Sequence, residues 1–325
     1  EEISSDEFDQ SILVNNFEHN KIIFINGLIS KFDFNYEEKD KIEIIDGEEA
    51  KDLIPKNSLV SLNNAFKYNY VKLTIKENYS LNKPLIIYNI TNKNLESNTI
   101  NQKIDFILKK NSSLKLINLF DDSSNNNFIN MNYQFKIERD AILKNYKIDH
   151  KLNSNIKYFF SNIDLEHNSL AETFVFSIGS KFIKNEINCN LNNQYSSAFV
   201  NGIINLKDDQ HHEIKTNINH LAENTKSYQL IKSVLNNNSK GVYQGKIFVN
   251  SKAQKTDGYQ LSKALLLNEN TEFDAKPELE IYADDVKCSH GSTSGNLDEN
   301  SIFYLMSRGL NYQQSRELLI NGFLI

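Results

Sequence analysis

The chain has 325 residues, of which 24% are charged, with a formal net charge of −6 and a pI near 5.7. That length can bury a sizeable core and suggests two domains, and the charge shows none of the basic excess expected of a nucleic-acid partner. No apolar run approaches the ~18 residues a membrane span requires. The two cysteines, Cys189 and Cys288, lie 99 positions apart, which is no disulfide framework and points to a reducing compartment.

From the N-terminus, "KIIFING" is short and preceded by acidic residues, so it reads as neither a leader nor a membrane segment. The chain opens on Glu-Glu without Met. Asn, Lys and Ile are abundant throughout, and "SSNNNF" (124–129) and "NNNSK" (236–240) resemble low-complexity loops. This bias reads as the mark of an AT-rich genome and is expected to carry little functional information.

The middle of the chain reads as strands. "KIDFILK" (103–109), "YQFKIE" (133–138) and "ETFVFSI" (172–178) alternate apolar with polar residues or are β-branched and aromatic. Aligned on one another, these segments repeat at a fixed period, with hexamers beginning at 111, 139, 167, 195, 223 and 251. Their third positions are all small: Ser113, Ala141, Ser169, Ser197, Thr225 and Ala253. Four residues before each hexamer stand Ile107, Phe135, Ile163, Leu191, Asn219 and Ile247, apolar with one exception. A small residue at each tight corner and an inward side chain on the preceding strand describe stacked coils, hence a β-solenoid. The alternative is an antiparallel sandwich with hairpins of similar length, which would rarely hold register over six units. The repeat is lost after residue 260, where Ile281 occupies the next small position. A solenoid end needs a cap, so 278–295 are expected to lie where the stack finishes.

That region contains "ADDVKCSHGSTSG" (283–295). Cys288 and His290 are two apart and share a face if extended. They supply two ligands where a closed tetrahedral site needs four. A thiol–imidazole nucleophile pair, or a structural thiol beside a hydrogen-bonded imidazole, remain open readings. Asp284 and Asp285 are adjacent, a poor spacing for an acid–base dyad and a common one for turn hydrogen bonds. "DDQHHE" (208–213) reads as a solvated polar loop, with His211 and Glu213 on one face and His212 on the other. Cys189 reads as a small buried strand residue. Lys263 lies in no phosphate loop, so ATP hydrolysis would belong to a partner.

Past Gly295 the pattern becomes helical. Asn296 with Glu299 and Asn311 with Gln314 have capping-box spacing, and Gly309 and Gly322 stand where helices would stop. Two short helices are expected. Their apolar side chains exceed what such a hairpin buries on itself, so it either caps the solenoid or docks into another protein.

The stretches "AQKTDGYQLSKALLL" (253–267), "KPELEIYADDVKCSHGSTSG" (276–295) and "FYLMSRGL" with "ELLINGF", and upstream "FINGLISKF" (24–32) and 212–247, resemble the SufB/SufD family of iron–sulfur cluster assembly scaffolds. The form of "ADDVKCSHG" and the lack of clustered cysteines resemble the SufD branch. The resemblance implies a mainly β chain: a right-handed parallel β-helix over 81–290, a helical hairpin over 291–325, and in 1–80 the remnant of an N-terminal domain. It implies a non-enzymatic scaffold that pairs with SufB, or with a second copy in its absence, and binds the SufC ATPase, with no nucleic-acid or membrane partner. Cys288 and His290 would be the cluster-assembly interface and metal ligands, shared with the partner chain. Phe303, Tyr304, Arg308, Leu318, Leu319 and Phe323 would contact SufC. No tightly bound cofactor is implied, only transient iron or a nascent cluster. The compartment would be a bacterial cytoplasm or a plastid stroma. Outside the family, a β-solenoid enzyme acting on polysaccharide is the alternative.

Overall fold

The computed structural model describes residues 12–47, 57–67 and 69–325. Of the expected N-terminal domain, residues 1–11, 48–56 and 68 therefore lie outside the described residues. The chain opens with β1 (Asn20–Ile25), β2 (Leu28–Asp33), β3 (Ile42–Asp46) and a helix, α1 (Ser58–Phe66). From there it winds as β4 (Asn69–Ile75), β5 (Leu85–Thr91), β6 (Thr99–Leu108), β7 (Ser113–Asp122), β8 (Phe128–Ile137), β9 (Ile142–Asp149) and β10 (Ile156–Leu165). It continues as β11 (Leu170–Ser177), β12 (Phe182–Leu191), β13 (Ser197–Leu206), β14 (His211–His220), β15 (Lys226–Leu235) and β16 (Lys240–Val249). The last turn is made by β17 (Thr256–Leu266), β18 (Glu272–Ile281) and β19 (Val286–Gly295), before α2 (Glu299–Ser307) and α3 (Tyr312–Leu324).

Alternate strands go to alternate sheets. One sheet has the order β19-β17-β15-β13-β11-β9-β7-β5-β1-β2 and the other β18-β16-β14-β12-β10-β8-β6-β4-β3. All pairings are parallel except β1 with β2 and β3 with β4. The chain is thus a parallel β-solenoid of about eight turns, with antiparallel strands finishing its N-terminal end. β1 and β4 already belong to the stack, so it starts before residue 81, and β19 carries it past residue 290.

Each turn is built by strict alternation. In β13, Ala198, Val200, Gly202, Ile204 and Leu206 point into the lumen and the residues between them point out. Phe106 and Phe135, partners in register, stack in the lumen with centroids 4.7 Å apart. Ser112, Ala141, Ser169 and Ser196 close corners by donating their N–H to the carbonyl three residues earlier. The preceding residues Asn111, Asp140, Asn168 and Tyr195 have φ between 54° and 63°. Seven asparagines take positive φ among the described residues, a conformation their short polar side chain tolerates. The asparagine content, expected to be uninformative, is therefore partly the chemistry of the corners.

The repeat is real, but its length varies. Along the ten-stranded sheet, Ser113, Ile142, Leu170, Ser197, Lys226 and Asp257 stand in successive register, and the step between them shortens and then lengthens from turn to turn. A fixed period therefore drifts. It chose Ser113 and Ser197 where the corners are Ser112 and Ser196. It chose Ile107, Leu191 and Asn219 where the partners of Phe135, Ile163 and Ile247 are Phe106, Cys189 and Ile218. Asn219 points outward and donates to Asn190, which explains the apolar exception. The repeat does not end at 260: a longer corner stretches the next step, which runs from Ile247 to Leu279.

"DDQHHE" is not a polar loop. Asp208 and Asp209 turn, but His211 opens β14, pairing with Glu213 at 3.1 Å, and His212 is fully buried against Ser177 Oγ and the Ser180 carbonyl. The lumen also holds Lys157, paired with Asp122 and Asp149. Cys189 is buried, as expected, and burial pushes its thiol up to about 12.

Candidate functional site at the open end

The C-terminal end of the stack differs from the N-terminal one. β18 and β19 are the outermost strands of their sheets, so each has a backbone edge with no partner strand among the described residues. An open edge is a template for another strand. β19 carries "VKCSHGSTSG" and is mostly exposed.

Alternation places Cys288, His290 and Ser292 on the lumen face of β19. Cys288 lies beside Gly258 and His290 beside Gln260 of β17. The half-buried thiol packs against the cluster of Ile247, Val249, Ala253 and Ala283, as do Leu279 and Val286. Burial pushes it above its ordinary value, against the pull of a hydrogen bond from the Gly258 backbone, and the nearby Asp257 adds to the rise. It is a protonated thiol at neutral pH, which argues against the nucleophile reading. His290 is exposed.

Three residues beneath this pair were not singled out from the sequence. Gly258 lies between Cys288 and His220: a β-carbon there would meet Cys288 Sγ at 3.4 Å and His220 Nε2 at 3.5 Å, both ordinary contact distances. His220 is buried, with Nδ1 2.7 Å from Thr225 Oγ1 and Nε2 2.9 Å from Ser227 Oγ. Gln260 is fully buried with no hydrogen-bond partner for its carboxamide. An isolated glycine within an alternating strand was the available signal for close approach. Nothing in the spacing announces that His220, far upstream of Cys288, shares its layer.

Among the described residues no group of three or more His, Cys, Asp and Glu side chains could hold a metal ion. Cys288 and His290 thus contribute two donors on one strand and no more. Asp284 and Asp285 are exposed, and the Asp285 N–H donates to the Gln254 side chain, so they serve the turn into β19.

The helices follow directly. Asp298, not Asn296, caps α2, accepting from the N–H groups of Asn300 and Ser301. The Asn311–Gln314 capping box of α3 is formed as expected. Gly309 takes φ +99° after α2, whereas Gly322 lies inside α3 and does not stop it. Phe303 is 74% exposed, Tyr304 57% and Leu318 52%. Arg308, also exposed, lies over the Tyr304 ring. Leu319 lines a small pocket with Tyr304 and Leu305. Phe323 instead turns towards the solenoid, beneath the Lys232 ammonium.

Comparison with known proteins bears on this arrangement. Residues 88–323, well over half of the chain, match the family model described as SUF system FeS cluster assembly, SufBD core domain. Iron-sulfur cluster assembly protein SufD of Escherichia coli is 60% identical over 52 residues, 16% of this chain and 12% of that protein. A SufBD family protein of Synechocystis is 51% identical over 57 residues, 18% and 13% of the two chains. Protein ABCI7, chloroplastic, of Arabidopsis thaliana is 48% identical over 48 residues, 15% and 10%. These alignments cover small shares of the relatives, but the family model covers most of the solenoid and both helices. No described helix is long and apolar enough to cross a membrane. The chain belongs to the SufBD core family of the SUF system for iron–sulfur cluster assembly.

Proposed function

We propose that this chain is a non-catalytic scaffold that pairs through the open end of its solenoid with SufB, or with a second copy when SufB is absent, and holds the SufC ATPase by its C-terminal helices. The observation that carries the reading is the coincidence of two unpaired edge strands with Cys288 and His290 on the last of them. A partner strand added to β19 would satisfy its free backbone groups and bring the partner's side chains over the same lumen mouth.

Iron or a nascent cluster is the cargo in this reading. Cys288 would bind it as thiolate, so the proton held on the half-buried thiol must leave as the ligand arrives. His290 would add a nitrogen donor, and the remaining donors would come from the partner. The exposed Phe303, Tyr304, Arg308 and Leu318, with Leu319 at their edge, would form the SufC contact. The packing of Phe323 beneath Lys232 would anchor α3.

Co-expression with SufB and SufC tests the reading. The chain is expected to co-elute with both, and Cys288→Ala with His290→Ala should leave that complex intact while cluster assembly in cells falls at least about tenfold. A chain that remains monomeric beside both partners, or a double variant that complements fully, contradicts it.

A further inference from the structure

The two outer faces of the solenoid are chemically unlike. On the nine-stranded sheet the outward rows are amide ladders and ion pairs: Asn219 donates to Asn190, and Lys184 pairs with Glu213. On the ten-stranded sheet the outward rows are apolar. One row runs Ile117, Tyr146, Phe174 and, past Asn201, Leu230 and Leu261. The row beside it runs Leu119, Ile148, Phe176 and Ile203. Phe199 and the stacked rings of Tyr228 and Tyr259, 5.3 Å apart, continue the surface from a third row. Tyr146 is 38% exposed and Tyr228 36%. A contiguous apolar patch of this kind marks an interaction surface far more often than it marks bare solvent contact.

The molecule covers both ends of this strip itself. Ile12, Leu13 and Val14 pack at its beginning, on the cluster of Ile23, Ile25, Ile86, Tyr88 and Ile90 that Ile117 and Leu119 also join. At the other end, Phe323 of α3 packs beneath Lys232 of β15. Between them no described helix makes an extensive contact with β9, β11 or β13. From β9 to β13 the strip crosses two strand spacings, about 10 Å at ~4.8 Å each. That is the width of one α-helix, about 10 Å. The margins are basic in an acidic chain: Lys115, Lys226, Lys232, Lys263 and Lys287 face outward on this sheet, with Lys144 tied to Glu172 at 2.9 Å. Asp121 and Asp257 are the outward acids that remain, and Asp121 is held by Lys151.

We infer that the outer face of the ten-stranded sheet between β9 and β13 is a docking surface for an amphipathic helix of a partner protein, with an apolar stripe and acidic flanks, laid along the strands. The apolar rows take the stripe and the bordering lysines take the carboxylates. This surface lies on the side of the solenoid and is separate from the open end, so it stands whether or not that end pairs with SufB.

The test uses a fluorescein-labelled helical peptide of about 18 residues, leucine and glutamate in amphipathic order, and the same peptide with lysine for glutamate, read by anisotropy. The acidic peptide should bind the full chain, bind less tightly as salt rises, and lose at least about tenfold in affinity with Phe174→Ser/Phe199→Ser. Lys115→Glu/Lys226→Glu, which leaves the apolar rows in place, should weaken it similarly, while Asn217→Ser on the opposite sheet should not. Circular dichroism and melting of each variant confirm that it is folded. Failure of the acidic peptide to bind, equal binding to the folded double variants, or equally tight binding of the lysine peptide overturns the inference. So does self-association of the chain that Phe174→Ser/Phe199→Ser abolishes, which would assign the face to a second copy.

Discussion

At the scale of single residues, the lumen is where physical chemistry departs most from what composition suggests. His212 and His220 are buried, and burial lowers both imidazoles to about 4 from an ordinary 6.5. Both are neutral in the folded chain and take up protons near pH 6.5 when unfolded, so the unfolded state binds more protons between those values. Their contribution to stability is therefore present above pH 6.5 and is lost as the pH falls towards 4. Burial raises the Asp149 carboxyl, which acts in the opposite sense, but one carboxyl opposes two imidazoles. The melting temperature is expected to fall between about pH 7 and pH 5, and His220→Gln to make that fall shallower; an unchanged pH profile would place His220 in contact with water. Lys157, closed between Asp122 and Asp149, should be less replaceable still. Lys157→Ala leaves two buried carboxylates unpaired and is expected to cost about 3–5 kcal/mol in chemical denaturation. None of this was legible in sequence, where a buried and a solvated lysine look alike. Cys288 and His290 were legible because two positions on a strand share a face whatever the fold. Gly258, His220 and Gln260 were not, because they reach the same layer only through the register of separate turns.

At the scale of elements, local rules read well wherever local chemistry decides. The alternation of β13, the Asn311–Gln314 box and Gly309 could all be read before any tertiary contact was known. The misses share a cause. Asn296 lost its cap to Asp298, whose carboxylate reaches two N–H groups of the first turn, and Gly322 is carried within α3. The hairpin presents Phe303, Tyr304 and Leu318 outward. Phe303→Ser should accordingly leave the melting temperature unchanged while weakening SufC retention at least about tenfold, because a large exposed apolar side chain adds to a contact and not to the core. Equal retention by the variant would leave the helices as a cap alone. Asn311→Ala, which removes half of a formed capping box, should cost about 1 kcal/mol of stability.

At the scale of the whole molecule, an approximate repeat sufficed to indicate a solenoid, because each coil buries the face of its neighbour. It did not suffice to place every side chain, since corners of unequal length move a fixed period out of register. The two ends follow from the same stacking. Antiparallel strands finish the N-terminal end, whereas β18 and β19 leave the C-terminal end open with the Cys288–His290 pair at its mouth. The central claim is that this edge takes SufB. Backbone amide exchange across β19, measured for the chain alone and with SufB, tests it most directly. In a parallel strand, alternate N–H groups face each neighbour, so half of those in Val286–Gly295 are already held by β17 and half are free. On adding SufB, the free half are expected to slow by at least about tenfold while the strands of the first turns stay unchanged. Amides of β19 that exchange as fast with SufB as without it, in a sample where the two proteins co-elute, would contradict the account.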